Sequence, residues 1–188
     1  MVLLAIAQRL GFVSDQEAAL DDAVSAMNGG GDRADEFYRA AHQSILDIEL
    51  TAARKSGLIP GSVELFEWLK SRHIRTGIVT RNCRQAVDLI GGKALLPDAI
   101  LTRNEVTKVK PDPLHLTQAL GELAVTPEAS LMVGDHPMDM VAGRAAGMRS
   151  VGVLTGDSTE QRLIEGGADY VISSVANLVG LITDENLL

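Results

Sequence analysis

From Leu58 onward the chain repeats one pattern: a short aliphatic run, a small or polar residue, then an amphipathic stretch at helical spacing. Residues 75–80, 99–102, 131–133, 150–154 and 170–172 read as strands. Residues 63–72, 82–90, 138–146, 159–165 and 175–182 read as helices, with a further one running from the Asp112-Pro113 cap to about Leu123. Thr126-Pro127 opens a single turn before the 131–133 strand. Strands that alternate with helices return by crossover and pair in parallel, and a parallel sheet must be covered on both faces. The composition supports such a core, with 46% hydrophobic and only 3% aromatic residues, so the packing must be aliphatic. The expected fold is therefore α/β, a Rossmann-like parallel sheet with helices on both faces.

Before Leu58 the pattern is helical throughout. Leu3, Ile6 and Leu10 share one face, residues 15–27 form a second candidate helix stopped by Gly29-Gly30-Gly31, and a longer helix opens at Asp32 or Arg33. In that third helix Phe37, Ala41, Ile45, Ile48 and Ala52 recur at helical spacing. These are packing stripes without chemistry. The break at Leu58-Ile59-Pro60-Gly61 divides a small all-helical region, residues 1–57, from an α/β region, residues 58–188.

A formal net charge of -8 argues against a nucleic-acid or anionic-membrane surface. No run approaches the ~18 apolar residues of a membrane span. The apolar start, Met1 to Ala7, has no basic residue before it and is short for a signal peptide. The single cysteine, Cys83, excludes an internal disulfide and a Cys-rich zinc site, which points to a reducing cytoplasm.

Chemistry gathers at three strand ends. In Leu131-Met132-Val133-Gly134-Asp135-His136-Pro137-Met138-Asp139, Asp135 sits at the carboxyl end of a strand, where open α/β sheets bind ligands. Pro137 suits a first helical turn, so Asp139 lies just inside that helix. Two carboxylates so placed can share a crevice and suit Mg²⁺, although a helix cap and a dipole partner are the bland alternative. In Gly77-Ile78-Val79-Thr80-Arg81-Asn82, the Thr80 hydroxyl and the N–H groups of Arg81 and Asn82 at a helix start would cradle an anion. Thr80 or Asn82 as a simple N-cap, and Arg81 as a surface charge, are the competing readings. In Val109-Lys110-Pro111-Asp112-Pro113, two prolines frame Lys110 as a fixed positive charge; Lys108 lacks that frame. Cys83 reads as apolar filler before a nucleophile, His136 as a solvent-facing loop residue before a contact to substrate or metal, and His42, His73 and His115 suggest no shared site.

The order strand-Thr, Lys-Pro-x-Pro, Gly-Asp-x-x-x-Asp resembles the haloacid dehalogenase superfamily of phosphohydrolases, and in flavour its phosphoglycolate-phosphatase-like members with a helical cap. Thr80 matches that family's second motif, Lys110 its third, and Gly134, Asp135 and Asp139 its fourth. Gly167-Ala168-Asp169-Tyr170-Val171-Ile172 resembles the final strand. The resemblance covers residues 58–182 and casts residues 1–57 as the cap. It implies two-step phosphoryl transfer through an aspartyl-phosphate on a small phosphorylated metabolite. Thr80 would hydrogen-bond the phosphoryl oxygens, Lys110 would neutralise nucleophile and phosphoryl group, Asp135 would bind Mg²⁺, and Asp139 would support that metal site while orienting Lys110.

The family's first motif, Asp-x-Asp-Gly-Thr on the first strand, does not occur in this sequence. Asp15, Asp21 and Asp22 lie in helical context, and Asp157 comes too late in the chain. The expectation is a core lacking its first strand, from an N-terminally truncated chain that hydrolyses no phosphate ester as written. Residues 1–6 could enter as a strand instead, though they fit a helix better and bring no carboxylate. Three alternatives stand beside the phosphatase: a non-catalytic binding module on the same fold, a 2-haloacid dehalogenase, and a receiver domain. The last is set aside because Lys110 precedes Asp135. Oligomeric state is not legible.

Overall fold

The computed structural model describes residues 32–187, and the two candidate helices before Asp32 lie outside them. The chain divides into two units, residues 1–55 and residues 56–188. In the first, α1 (Asp32–Lys55) is the long helix expected from the Ala41, Ile45, Ile48 and Ala52 spacing.

The second unit alternates as the pattern predicts: α2 (Ser62–Ser71), β1 (Gly77–Val79), α3 (Arg84–Ile90), β2 (Ala99–Leu101), α4 (Leu114–Leu123), β3 (Leu131–Gly134), α5 (Pro137–Ala145), β4 (Arg149–Val153), α6 (Glu160–Gly166), β5 (Tyr170–Ile172) and α7 (Leu178–Glu185). Every strand pairing is parallel. Alternate residues of β3 face opposite ways. Leu131 and Val133 join Leu65 and Leu69 of α2, Val151 of β4, and Leu178 and Ile182 of α7. Met132 joins Leu116 of α4 with Ala142 and Ala146 at α5. Helices thus cover both faces, as period-two burial in a parallel sheet requires.

The sheet itself is in two pieces. Among the described residues β1 pairs with β2 alone, and β4 lies between β3 and β5. Between β1 and β3 runs a cavity of about 1040 Å³, lined from both strands by Ile78, Val79, Thr80, Leu131, Met132 and Val133.

Local differences from the sequence reading have local causes. The helix expected from Asn82 starts at Arg84, because Cys83 is its extended N-cap and accepts from the Ala86 N–H. Asn104, from the loop after β2, accepts the Arg84 N–H at 3.0 Å. The helix expected from Val175 is a 3₁₀ turn before α7 begins at Leu178. Gly92–Leu95 adds a 3₁₀ turn that the spacing does not reveal. Asp112 does cap α4, accepting from the Leu114 N–H at 2.9 Å.

Candidate active site

The carboxyl ends of β1 and β3 bring together residues from three separated stretches of chain. Lys110 is the hub. It is 7% exposed, and its ammonium donates to the Val79 carbonyl at 2.8 Å and pairs with Asp139 Oδ1 at 2.7 Å. One side chain therefore ties the end of β1 to the first turn of α5. The proline-framed lysine is the buried one, whereas the Lys108 side chain is 68% exposed beside Asp112.

Thr80 follows Val79 directly and is half-buried on the cavity wall. Its N–H donates to the Leu101 carbonyl at 2.9 Å, which fixes it to β2. Its Oγ1 accepts from the Asn82 N–H at 3.2 Å, so the hydroxyl orders the turn rather than capping α3. The residues of the expected anion cradle thus stand in a bend before α3 rather than in the helix start itself. Arg81 and Asn82 lie three and two residues before α3, and the Arg84 and Ala86 N–H groups are taken by Asn104 and Cys83. Asn82 is exposed and also lines the cavity. Arg81 is exposed, with Nη1 2.9 Å from Met138 Sδ on α5, which draws it toward the β3 end of the rim.

Asp135 is exposed at the tip of β3. Its carboxylate lies against Gly156 in the loop after β4, where an added Cβ would stand 2.3 Å from Asp135 Oδ2. That approach is a contact the sequence did not reveal. Asp139 is 6% exposed. Besides Lys110 it accepts from the His136 N–H at 3.3 Å, while His136 Nδ1 accepts from the Met138 N–H at 3.2 Å. His136, read from the sequence as a solvent-facing loop residue, is thus the N-cap of α5 in a reciprocal capping box. The signal was present in the His-Pro-x-Asp spacing. Gly134 permits the arrangement, since a Cβ there would stand 2.4 Å from Asp139 Oδ2.

The two carboxylates expected to share Mg²⁺ differ in their commitments. Asp139 is engaged by an ammonium and an amide, which suits it to hold Lys110. Asp135 faces the rim with no cation paired to it among the described residues. Among those residues no group of three or more His, Cys, Asp or Glu side chains could hold a metal. The donor set therefore fits one carboxylate ligand to Mg²⁺, Asp135, and leaves the remainder of an oxygen shell to other groups.

Two networks back the rim. Glu105 accepts from the Thr102 N–H at 2.6 Å and pairs with Arg84 at 3.1 Å. Burial alone raises its carboxyl, but the hydrogen bonds from Thr102 and Arg84 outweigh this and hold it below the usual range. His115 is fully buried under β2, its Nε2 3.3 Å from the Leu101 carbonyl. Its Nδ1 has no hydrogen-bond partner in the structure. Burial, and then the nearby Lys110 charge, push its pKa below the ordinary 6.5. Cys83 is 4% exposed and serves α3 as cap and filler.

Comparison with known proteins agrees with this arrangement. The haloacid dehalogenase-like hydrolase family model matches residues 18–153. Pyrophosphatase PpaX of Bacillus mycoides is 33% identical over 126 residues, 65% of this chain and 59% of that protein. Pyrophosphatase PpaX of Oceanobacillus iheyensis is 29% identical over 128 residues, 66% of this chain and 60% of that protein. The chain thus spans about three-fifths of the length of these curated relatives. Among solved structures, a hydrolase from Pseudomonas syringae superposes with a TM-score of 0.67 at 25% identity, covering 86% of this chain and 75% of that one. A phosphonoacetaldehyde hydrolase-like protein from Oleispira antarctica shares the fold, with a TM-score of 0.70 at 21% identity over 98% of this chain and 84% of that one. The match of family model, parallel α/β core and buried Lys–Asp pair at the strand ends has one conclusion: this chain belongs to the haloacid dehalogenase-like hydrolase family.

Proposed function

We propose that the 188 residues carry the phosphate-side half of a Mg²⁺-dependent phosphohydrolase acting on a small phosphorylated metabolite, a monoester or, as the names of its pyrophosphatase relatives suggest, pyrophosphate. The observation that carries this reading is Lys110, held by the carbonyl of Val79, the residue before Thr80, and by Asp139, in the first turn of the helix that follows Asp135. A fixed ammonium there opposes the negative charge that develops as a phosphoryl group transfers. In this reading the Thr80 hydroxyl donates to a phosphoryl oxygen, with Asn82 and Arg81 as further donors from the same bend. Asp139 positions Lys110. Asp135 is the residue that would hold Mg²⁺, which supplies positive charge against the phosphoryl oxygens. A cytoplasmic setting accompanies a small-molecule role of this kind. Among the described residues no helix is long and apolar enough to cross a membrane.

No Asp-x-Asp-Gly-Thr occurs in the 188 residues, so none of them supplies the nucleophilic carboxylate through that motif. The chain by itself is expected to bind inorganic phosphate in the presence of Mg²⁺ but not to turn over p-nitrophenyl phosphate or pyrophosphate. Isothermal titration should show Thr80→Val weakening phosphate binding about tenfold, the worth of one hydrogen bond to a charged group. Phosphate binding indifferent to both Thr80→Val and Asp135→Asn would remove the site. Turnover abolished by Asp135→Asn would overturn the expected inactivity. The same missing motif favours a second reading, a non-catalytic module that binds a phosphorylated ligand at this rim. It is distinguished by phosphate binding that persists when Mg²⁺ is removed.

A further inference from the structure

Val79 and Thr80 share one peptide group, and it is gripped from both sides. Its carbonyl accepts from the Lys110 ammonium at 2.8 Å. Its N–H donates to the Leu101 carbonyl at 2.9 Å. That same Leu101 carbonyl lies 3.3 Å from His115 Nε2. A carbonyl has no proton to give, so Nε2 carries the hydrogen and donates, which leaves Nδ1 of the neutral ring bare. Lys110 and His115 stand on either side of Pro111-Asp112-Pro113. The bonds therefore close a ring. It runs from Lys110 to the Val79–Thr80 peptide, on to Leu101 and to His115, and back through two fixed prolines to Lys110.

Stability does not account for a histidine at this place. His115 is fully buried, and its bare Nδ1 has no hydrogen-bond partner among the described residues. An aliphatic side chain of similar size would not carry that cost. The Leu101 carbonyl is already satisfied by the Thr80 N–H, so His115 relieves no orphaned acceptor. What the imidazole adds is a tie between the first turn of α4 and the end of β2. We infer that His115 is a positioning residue: through the Leu101 carbonyl it fixes the Thr80 hydroxyl relative to the Lys110 ammonium. One of those groups stands at a strand tip and the other in a loop, so their spacing needs a tertiary tie. A misplacement of ~1 Å between groups that act on one substrate is costly. The tie stands on its own geometry. Its use, to hold two donors to one phosphate, rests on the function proposed above.

The test uses the full 188-residue chain, isotope-labelled for magnetic resonance. At neutral pH, long-range proton–nitrogen correlation of the His115 ring in the unsubstituted protein should show the proton on Nε2. A proton on Nδ1 overturns the inference without any substitution, because Nε2 could not then donate. His115→Leu, with His115→Met in its place should the first not fold, should melt at or above the temperature of the unsubstituted chain. It should nevertheless exchange the Thr80 amide about fivefold faster and bind inorganic phosphate with Mg²⁺ about fivefold more weakly, the worth of one neutral hydrogen bond. His115→Gln, whose amide nitrogen reaches the place of Nε2, should restore both. His115→Asn, one bond shorter, should restore neither. Unchanged Thr80 exchange in His115→Leu, or no recovery of it in His115→Gln, overturns the proposal. So does a loss of binding that merely follows a loss of stability. An unsubstituted chain that binds no phosphate would sink the function proposed above, while the ring tautomer and the Thr80 exchange would still decide the role of His115.

Discussion

Asp139 and Lys110 are a charged pair taken almost wholly out of water, with side chains 8% and 9% exposed. Desolvation makes such a pair a weak source of net stability, but removing one member strands the other. Asp139→Ala should therefore cost the 56–188 unit about 3–5 kcal/mol in urea denaturation, while the double variant Asp139→Leu/Lys110→Met recovers most of that loss. An Asp139→Ala loss under ~1 kcal/mol would mean that the pair is solvated. His115 carries a pH dependence of definite sign. Its folded pKa lies below the ordinary 6.5, so between those values the unfolded chain binds more protons than the folded one. Stability is then full above about 6.5 and falls as pH drops through the folded value. Melting temperature measured from pH 7.5 downward should show this decline beginning near 6.5, and His115→Gln should flatten it. Glu105, also depressed, adds a second loss that begins only as pH falls to about its ordinary 4.5.

At the scale of elements, short helices here depend on caps borrowed from elsewhere. α5 is nine residues long and is stapled by the His136–Asp139 box, so the same carboxylate caps a helix and holds Lys110. His136→Ala should cost about 1 kcal/mol, the usual worth of an N-cap. Gly134→Ala should cost more and should also loosen Lys110, because its Cβ would stand 2.4 Å from Asp139 Oδ2. The two variants separate by thermal denaturation combined with phosphate titration: the first lowers stability with little change in binding, the second lowers both. Equal effects on binding would mean that the cap, rather than the space at Gly134, sets the position of Asp139. The start of α3 is likewise decided at a distance, by Asn104 from the loop after β2. A reading of residues 80–90 alone put the helix two residues early for that reason.

For the whole molecule, the parallel order of strands was legible because each strand is an aliphatic run bounded by turn residues and followed by a helical stripe. The three candidate positions Thr80, Lys110 and Asp135 were legible because each stands just past such a run or inside a proline frame. The pairing of Asp139 with Lys110 followed only from the family resemblance and from no local pattern, since it joins side chains 29 positions apart and depends on two strands ending at one rim. The approach of Gly156 to Asp135, which only the crossover after β4 brings about, was legible from neither.

The sequence by itself therefore determined the alternation, the aliphatic core, and which residues end up at strand tips, because periodicity and turn chemistry act over a few neighbouring residues. Tertiary structure alone decided which charges meet, which helix donors are already satisfied, and that the described strands stand in two ladders beside a cavity. Those outcomes come from where separate stretches converge in space, and no window along the chain contains both partners of such a contact.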